Sequence, residues 1–404
     1  MLKYRWYGRT ALSKGYFAAY PMEVSMNNQR MPLLRLLAVL VAALLTLSAL
    51  VACGTTGDGQ GTTAQTTGKT ETTRPVEEMD FSSMDLSPYI SLGQYKGIKV
   101  EAKEIDYIVA LRTELFEDGA YFEETEDPDR VVELGDVVNV DYKGFMDGVA
   151  FEGGKTLGAD ITVYDTGTYI PGFATGFIGA APGESSSFEV TFPEDYGEAT
   201  LAGKTAVFEF TVNHVYEFDE LTDVIANDLS GGQYPTAEAY EQFLRNQVVQ
   251  VEIWEQVVHN ATIRNYPEQQ VNYYYYQNRS YYEYYASMYG MSYNDLLAYS
   301  GLTDKDLYES AKTYVLEDLV FYAIQQAEGI EYTEEEYNRD VKYYINRYKA
   351  EYGYSEDYIR QNLMSAVEEN MLYDKVQTAI VSWANVTWEG AVEDNASADT
   401  ETAA

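Results

Sequence analysis

Apolar positions change their period twice along this chain. Between Glu104 and Asp118, Ile105, Ile108, Val109, Leu111, Leu115 and Phe116 recur at helical spacing, which predicts an amphipathic helix. Gly119 is placed to stop it. The preceding stretch, residues 91–101, gains alternating character near its end and reads as an extended strand or arm. Residues 123–130 read as an acidic loop around Pro128.

From Val131 to Glu217 the period shortens to two. Val137–Tyr142, Ile161–Tyr164, Phe188–Phe192 and Ala206–Val215 alternate and predict strands. Asp147-Gly148 between alternating segments signals a tight hairpin. One short helix fits between Gly172 and Ala180, and Gly153, Gly154 and Gly172 read as turn glycines with positive φ. The expectation is an α+β module, a compact antiparallel sheet wrapped on one short helix.

After Asp219 the helical period returns. Thr236 caps a helix over 237–258, Thr303 with Asp306 opens a second, and Thr333 with Glu336 forms a capping box for a third. Residues 356–381 read as a fourth helix, Gly301, Gly329 and Gly353 as stops, and Asn385–Glu389 as a short returning strand. Apart from that strand, this second part is expected to be an all-α helical domain.

The N-terminal region has a different composition. Arg30 and Arg35 precede an apolar run over 36–49, of signal-peptide length and short for a membrane span. It ends in Leu50-Val-Ala-Cys53, which resembles the lipobox of bacterial lipoproteins. The resemblance implies a signal peptide over residues 1–52, with Met26 or Met31 as alternative starts, and a lipid on Cys53, the only cysteine. An uncleaved anchor is the other reading. Residues 53–85 are then a lipidated flexible tether, 86–130 a linker arm with one helix, 131–218 and 219–389 the two folded domains, and 390–404 a disordered acidic tail. Attachment to the membrane would be through the lipid only.

The formal net charge of −38 argues against nucleic acid as a partner and against docking on ribosomal RNA. No metal-ligand spacing, calcium-loop pattern or cofactor motif is present, and with Cys53 acylated no thiol nucleophile remains. His214 and His259, the only histidines, read as structural residues. What the alternating region does deliver is large apolar side chains. Tyr142, Phe151, Ile170, Phe173, Tyr196 and Phe208 are expected to wall one pocket; the competing reading makes Phe151, Phe173 and Phe208 ordinary core.

Gly135–Glu217, through Tyr169-Ile-Pro-Gly-Phe173, Phe192-Pro-Glu-Asp-Tyr196, Leu201-Ala-Gly-Lys204 and Ala206-Val-Phe208, resembles the FKBP-type peptidyl-prolyl isomerase domain in its trigger-factor form. Leu92–Ile98 is similar to the segment leading into that domain, and 219–388 to the trigger-factor C-terminal chaperone domain, including Asn265-Tyr-Pro-Glu-Gln-Gln-Val271 at a helix start. The resemblance implies prolyl isomerisation and chaperoning of unfolded or proline-containing polypeptides, without a cofactor. It also implies that Ile170 donates from its backbone, Phe173 floors the pocket, Tyr196 offers a hydroxyl to the substrate carbonyl, and Glu152 stands where the family carries an acid. The basic ribosome-docking domain is not recognised, so no ribosome partner is expected. The alternatives are a non-catalytic holdase and a glycan- or wall-binding lipoprotein.

Tyrosine is the remaining compositional signal. Of 39 in the chain, 23 fall between Tyr266 and Tyr358, on every face of the helices there. They read either as an adaptable amphipathic surface for gripping unfolded segments or as ordinary helix packing.

Overall fold

The computed structural model describes residues 76–390. The apolar run, Cys53, the expected tether up to residue 75 and the tail from residue 391 lie outside the described residues. No helix among the described residues is long and apolar enough to cross a membrane.

The isomerase-like region is an antiparallel sheet built around one long strand. Strands β1 (Ile90–Ser91) and β2 (Lys99–Lys103) precede helix α1 (Glu104–Asp118). Gly119 closes α1 in the left-handed conformation at φ 81°, donating to the Leu115 carbonyl. Then follow β3 (Phe122–Thr125), β4 (Val137–Met146), β5 (Val149–Thr162), a 3-10 turn (Ala174–Phe177), β6 (Ser185–Thr191) and β7 (Thr205–Phe218). One edge of β7 takes β6 along its first half and β3 along its second; the other edge pairs with β4, which pairs with β5. Asp147 (φ 50°) and Gly148 (φ 77°) make the hairpin turn with both central residues left-handed, the geometry that matches strand twist.

Two readings of this region change. Residues 122–125 are a strand, not part of a loop, because Phe122 stacks within a ring cluster of Phe116, Tyr216 and Phe218. Its charged neighbours Glu123 and Glu124 face outward and mask the alternation. Gly153 and Gly172 have positive φ as expected, but Gly154 does not.

The helical region contains α2 (Asp223–Leu229), α3 (Ala237–Asn260), β8 (Thr262–Ile263), α4 (Glu268–Tyr289), α5 (Tyr293–Tyr299), α6 (Asp304–Glu328), α7 (Glu334–Tyr352), α8 (Glu356–Asn362), α9 (Met364–Ser382) and β9 (Asn385–Glu389). The caps form where side-chain chemistry places them. Thr236, Thr303 and Thr333 each accept from a first-turn amide, and the last two make full capping boxes with Asp306 and Glu336. The expected single helix over 356–381 is broken at Leu363, whose backbone leaves the helical region (φ −121°) as its side chain enters the core beside Ile359, Val367 and Met371.

The returning strand at 385–389 forms as expected, and two short strand pairs tie the N-terminal segment to this helical region. β1 pairs antiparallel with β8, and β2 pairs in parallel with β9 from Lys99↔Asn385 to Lys103↔Glu389. The segment from Val76 onward is therefore a strap and not a tether. Phe81, Leu86, Ile90, Ile98 and Val100 are buried in one core with Ile253, Leu319, Ile324, Val376 and Ile380. At Gly93 the strap presses so closely on the end of α3 that a Cβ would stand 2.0 Å from the Asn260 carbonyl oxygen. Before Ser91 the apolar residues are spaced irregularly among polar ones and carry no period, which is why that stretch reads as tether and linker, while β2 alternates as its sequence suggests.

Helix α1 joins the two parts. On one side Arg245 of α3 forks onto Glu104 at 2.6 and 2.9 Å and lies over the rings of Tyr107 and Trp388. On the other, Tyr164 donates to Asp106 at 2.5 Å, and burial followed by that carboxylate pushes the phenol up to about 12. Arg112 reaches Asp136 at 3.0 Å.

The tyrosines and the acidic charge explain each other in part. Tyr274 donates to Asp318, Tyr275 and Tyr293 both donate to Asp304, and Tyr337 donates to Glu368, at 2.5–2.8 Å. Tyr95 donates to Glu328 and Tyr344 to Asp374. Carboxylates take up the hydroxyls of these rings, at part-buried positions for Tyr274, Tyr95 and Tyr344 and at exposed ones for Tyr275, Tyr293 and Tyr337, so these tyrosines serve helix packing. Near the end of the α4–α5 pair, Met288, Tyr289 and Tyr299 remain exposed.

Candidate active site

Inward alternation on β7 places Ala206, Phe208, Phe210 and Val212 on the core face of the sheet. Opposite them the chain turns sharply at Pro171-Gly172. Gly172 sits at φ +86° and the Phe173 amide donates to the Ile170 carbonyl at 3.1 Å, which sends the Phe173 ring inward. Phe173 and Phe208 meet edge to face at 4.9 Å between centroids and are 3% and 4% exposed; they form the base of an aromatic basin.

Around this base stand half-buried residues. Tyr142 meets Phe173 at 5.2 Å and Phe208 at 6.0 Å. Phe151 meets Phe208 at 5.9 Å and Phe192 at 6.0 Å, and Phe192 meets Tyr196 at 4.7 Å. Tyr169 stacks on Phe173 at 4.9 Å. Tyr142, Phe151, Ile170 and Tyr196 all pack on the same cluster while staying partly open to solvent. Six of the seven residues expected at the site therefore converge.

The polar groups at the basin are few. Thr156 Oγ1 donates to the Tyr142 hydroxyl at 3.1 Å. The Tyr196 loop is held by Tyr196 and Gly203 amides that share the Pro193 carbonyl, at 3.1 and 3.2 Å. Among the described residues, the Ile170 amide donates to no backbone carbonyl. Glu152 is not brought in: it is exposed, and among the described residues its side chain makes no hydrogen bond or ion pair. Its neighbour Phe151 points inward, and the pleat turns Glu152 away.

Phe177, Phe188 and Phe192 complete the basin and are absent from the expected set. Phe188 lies 5.6 Å from Phe173 and 5.8 Å from Phe208. Its alternation in β6 was a usable signal, since every second residue there faces the same core. Asp136 was invisible in sequence. It is 1% exposed, holds Arg112 and Arg130 at 3.0 and 2.9 Å, and accepts from the Glu133 amide at 2.8 Å, partners as far as 24 residues away.

Among the described residues no group of acidic, His or Cys side chains could hold a metal ion. His214 lies 3.8 Å from Glu124 and edge-on to Tyr216, away from the basin cluster. The site can bury an apolar ring and present backbone and phenol groups at its rim. It holds no nucleophile.

Residues 129–213 match the family model of the FKBP-type peptidyl-prolyl cis-trans isomerase, and residues 236–382 that of the bacterial trigger factor C-terminus. The trigger factor of Caldicellulosiruptor bescii is 32% identical over 72% of this chain and 69% of its own length. That of Bacillus cytotoxicus is 33% identical over 72% and 71%. A solved structure titled "Promiscuous Substrate Recognition in Folding and Assembly Activities of the Trigger Factor Chaperone" aligns at 18% identity over 73% of this chain and 72% of that one, with a TM-score of 0.28. With an isomerase-family basin, a matching helical region and relatives of this identity and coverage, the chain belongs to the trigger factor family.

Proposed function

We propose that the protein is a peptidyl-prolyl cis-trans isomerase and folding chaperone, and that it works outside the cytoplasm, tethered by a lipid on Cys53. The convergence of Tyr142, Phe151, Ile170, Phe173, Tyr196 and Phe208 on one aromatic basin carries the catalytic reading.

Prolyl rotation requires no bond to break. Its barrier of roughly 20 kcal/mol is the loss of amide resonance. Twisting the bond reduces the amide dipole, so a water-poor aromatic basin disfavours the planar state relative to the twisted one. Phe173 and Phe208 receive the prolyl ring, with Tyr142 and Phe151 beside it. The Ile170 amide and the Tyr196 hydroxyl donate to carbonyls flanking the bond. Glu152, turned to solvent, takes no part in the rotation.

Unfolded and proline-containing chains are the proposed clients. The exposed Met288, Tyr289 and Tyr299 supply apolar contact area beyond the basin. A holdase that binds without turnover is the second reading, and those same residues favour it. The export reading rests on the basic and apolar N-terminal run and the lipobox before Cys53, and the −38 charge supports the absence of nucleic acid or ribosome partners.

Two measurements test the proposal. NMR exchange on an Xaa-Pro peptide should show acceleration by the purified protein; an uncatalysed rate beside suppressed client aggregation would leave the holdase. In cells, Cys53→Ser should release the protein from the membrane fraction; unchanged fractionation would defeat the lipid anchor.

A further inference from the structure

Gly144 on β4 and Gly154 on β5 are buried glycines in strand interiors, and neither has positive φ. Backbone conformation therefore demands glycine at neither position. A strand-interior glycine weakens the strand and marks the close approach of another group. Here that group is the Phe151 ring, on both sides. A Cβ on Gly154 would stand 2.6 Å from Cε2 and 2.8 Å from Cζ of Phe151, and its three nearest atoms all belong to that ring. A Cβ on Gly144 would stand 2.6 Å from Cε1 and from Cζ of the same ring, and 2.8 Å from Phe208 Cε1. The β4–β5 register slips between Lys143 and Phe145, so the irregularity falls at Gly144.

We propose that Gly144 and Gly154 are positioning residues for prolyl isomerisation. They leave the slot in which the Phe151 ring lies, and so set the wall against which the prolyl ring is held. The inference rests on the isomerase reading above. With Phe192 and Phe208 against its other edges, a ring displaced by a methyl on Gly154 turns into the basin it lines. Gly154 is the cleaner probe, since its three nearest atoms all belong to Phe151, whereas a methyl on Gly144 also meets Phe208.

The test is a double-mutant cycle on the full chain, Gly154→Ala with Phe151→Leu, read by peptide exchange over a range of substrate concentrations and by thermal melting. In the Phe151 background, Gly154→Ala should lower kcat/KM about tenfold or more, mainly through KM. In the Phe151→Leu background, where the shorter side chain vacates the slot, it should change kcat/KM less than about twofold. The melting midpoint should fall with Gly154→Ala alone and recover when Phe151→Leu is added. An equal loss of kcat/KM in both backgrounds, or none in either, overturns the proposal. If Gly154→Ala alone fails to fold, restoration by Phe151→Leu supports the slot and failure in both overturns it. An inactive parent chain would overturn the isomerase reading instead, and the melting cycle would then decide whether the slot exists.

Discussion

Replacing Asp136 with alanine should weaken the join between α1 and the isomerase sheet. Asp136 is buried and holds two guanidinium groups at 3.0 and 2.9 Å together with the Glu133 amide at 2.8 Å. Removing one partner of a buried pair costs roughly 3–5 kcal/mol where the other charge is left without a counterion; Arg130 keeps Glu217 at 2.5 Å, so the loss falls mainly on Arg112. Arg112 and Arg130 keep 29% and 23% of their side chains exposed and can turn partly to water, which reduces the cost to about 2–3 kcal/mol. Asp136→Asn keeps the shape and one acceptor, so it should cost about half as much. Urea denaturation with tyrosine fluorescence and circular dichroism measures both. A loss below about 0.5 kcal/mol for Asp136→Ala, within the range of ordinary surface substitutions, would refute the assignment of this cluster as the join.

Three further outcomes follow from other parts of the molecule. Phe81→Ala empties a fully buried site where the strap enters the helical core, and should cost about 3–5 kcal/mol by denaturant unfolding. Gly93→Ala should dislodge the strap, read as faster hydrogen exchange across β1 and β2, because the new methyl meets backbone. Lys375, then the Thr333 amide, hold the Glu336 carboxyl down at about 2. A depressed carboxylate stabilises the fold above its ordinary range and loses that contribution as pH falls from about 4.5 towards 2, so the first turn of α7 should exchange faster across that window. Glu336→Gln should remove the pH dependence.

Elements whose signals are local were legible in the sequence. The Asp147-Gly148 turn and the threonine caps at 236, 303 and 333 are set by chemistry within four residues, and each forms as read. The aromatic basin was legible to a similar degree because alternation and the Pro171-Gly172 turn decide which aromatics face inward. Features that depend on distant partners were not. The strap is defined by burial against helices more than a hundred residues later, β3 by pairing with β7, and Asp136 by arginines on other elements. Glu152 was placed at the site from motif position alone, and the pleat sends its side chain to solvent. Gly154 was read as a turn glycine, and the structure gives the reason for glycine there as the ring of Phe151.

The most direct test of the central claim is the rate of a proline-limited refolding reaction with the parent chain and with Phe173→Ala. Phe173 lies at the base of the basin and touches Tyr142, Tyr169 and Phe208, so truncation removes the surface on which the prolyl ring would rest. The account predicts acceleration by the parent chain and a loss of about a hundredfold in kcat/KM for Phe173→Ala, with the helical body still folded. Equal acceleration by both proteins, or none by the parent, would contradict it.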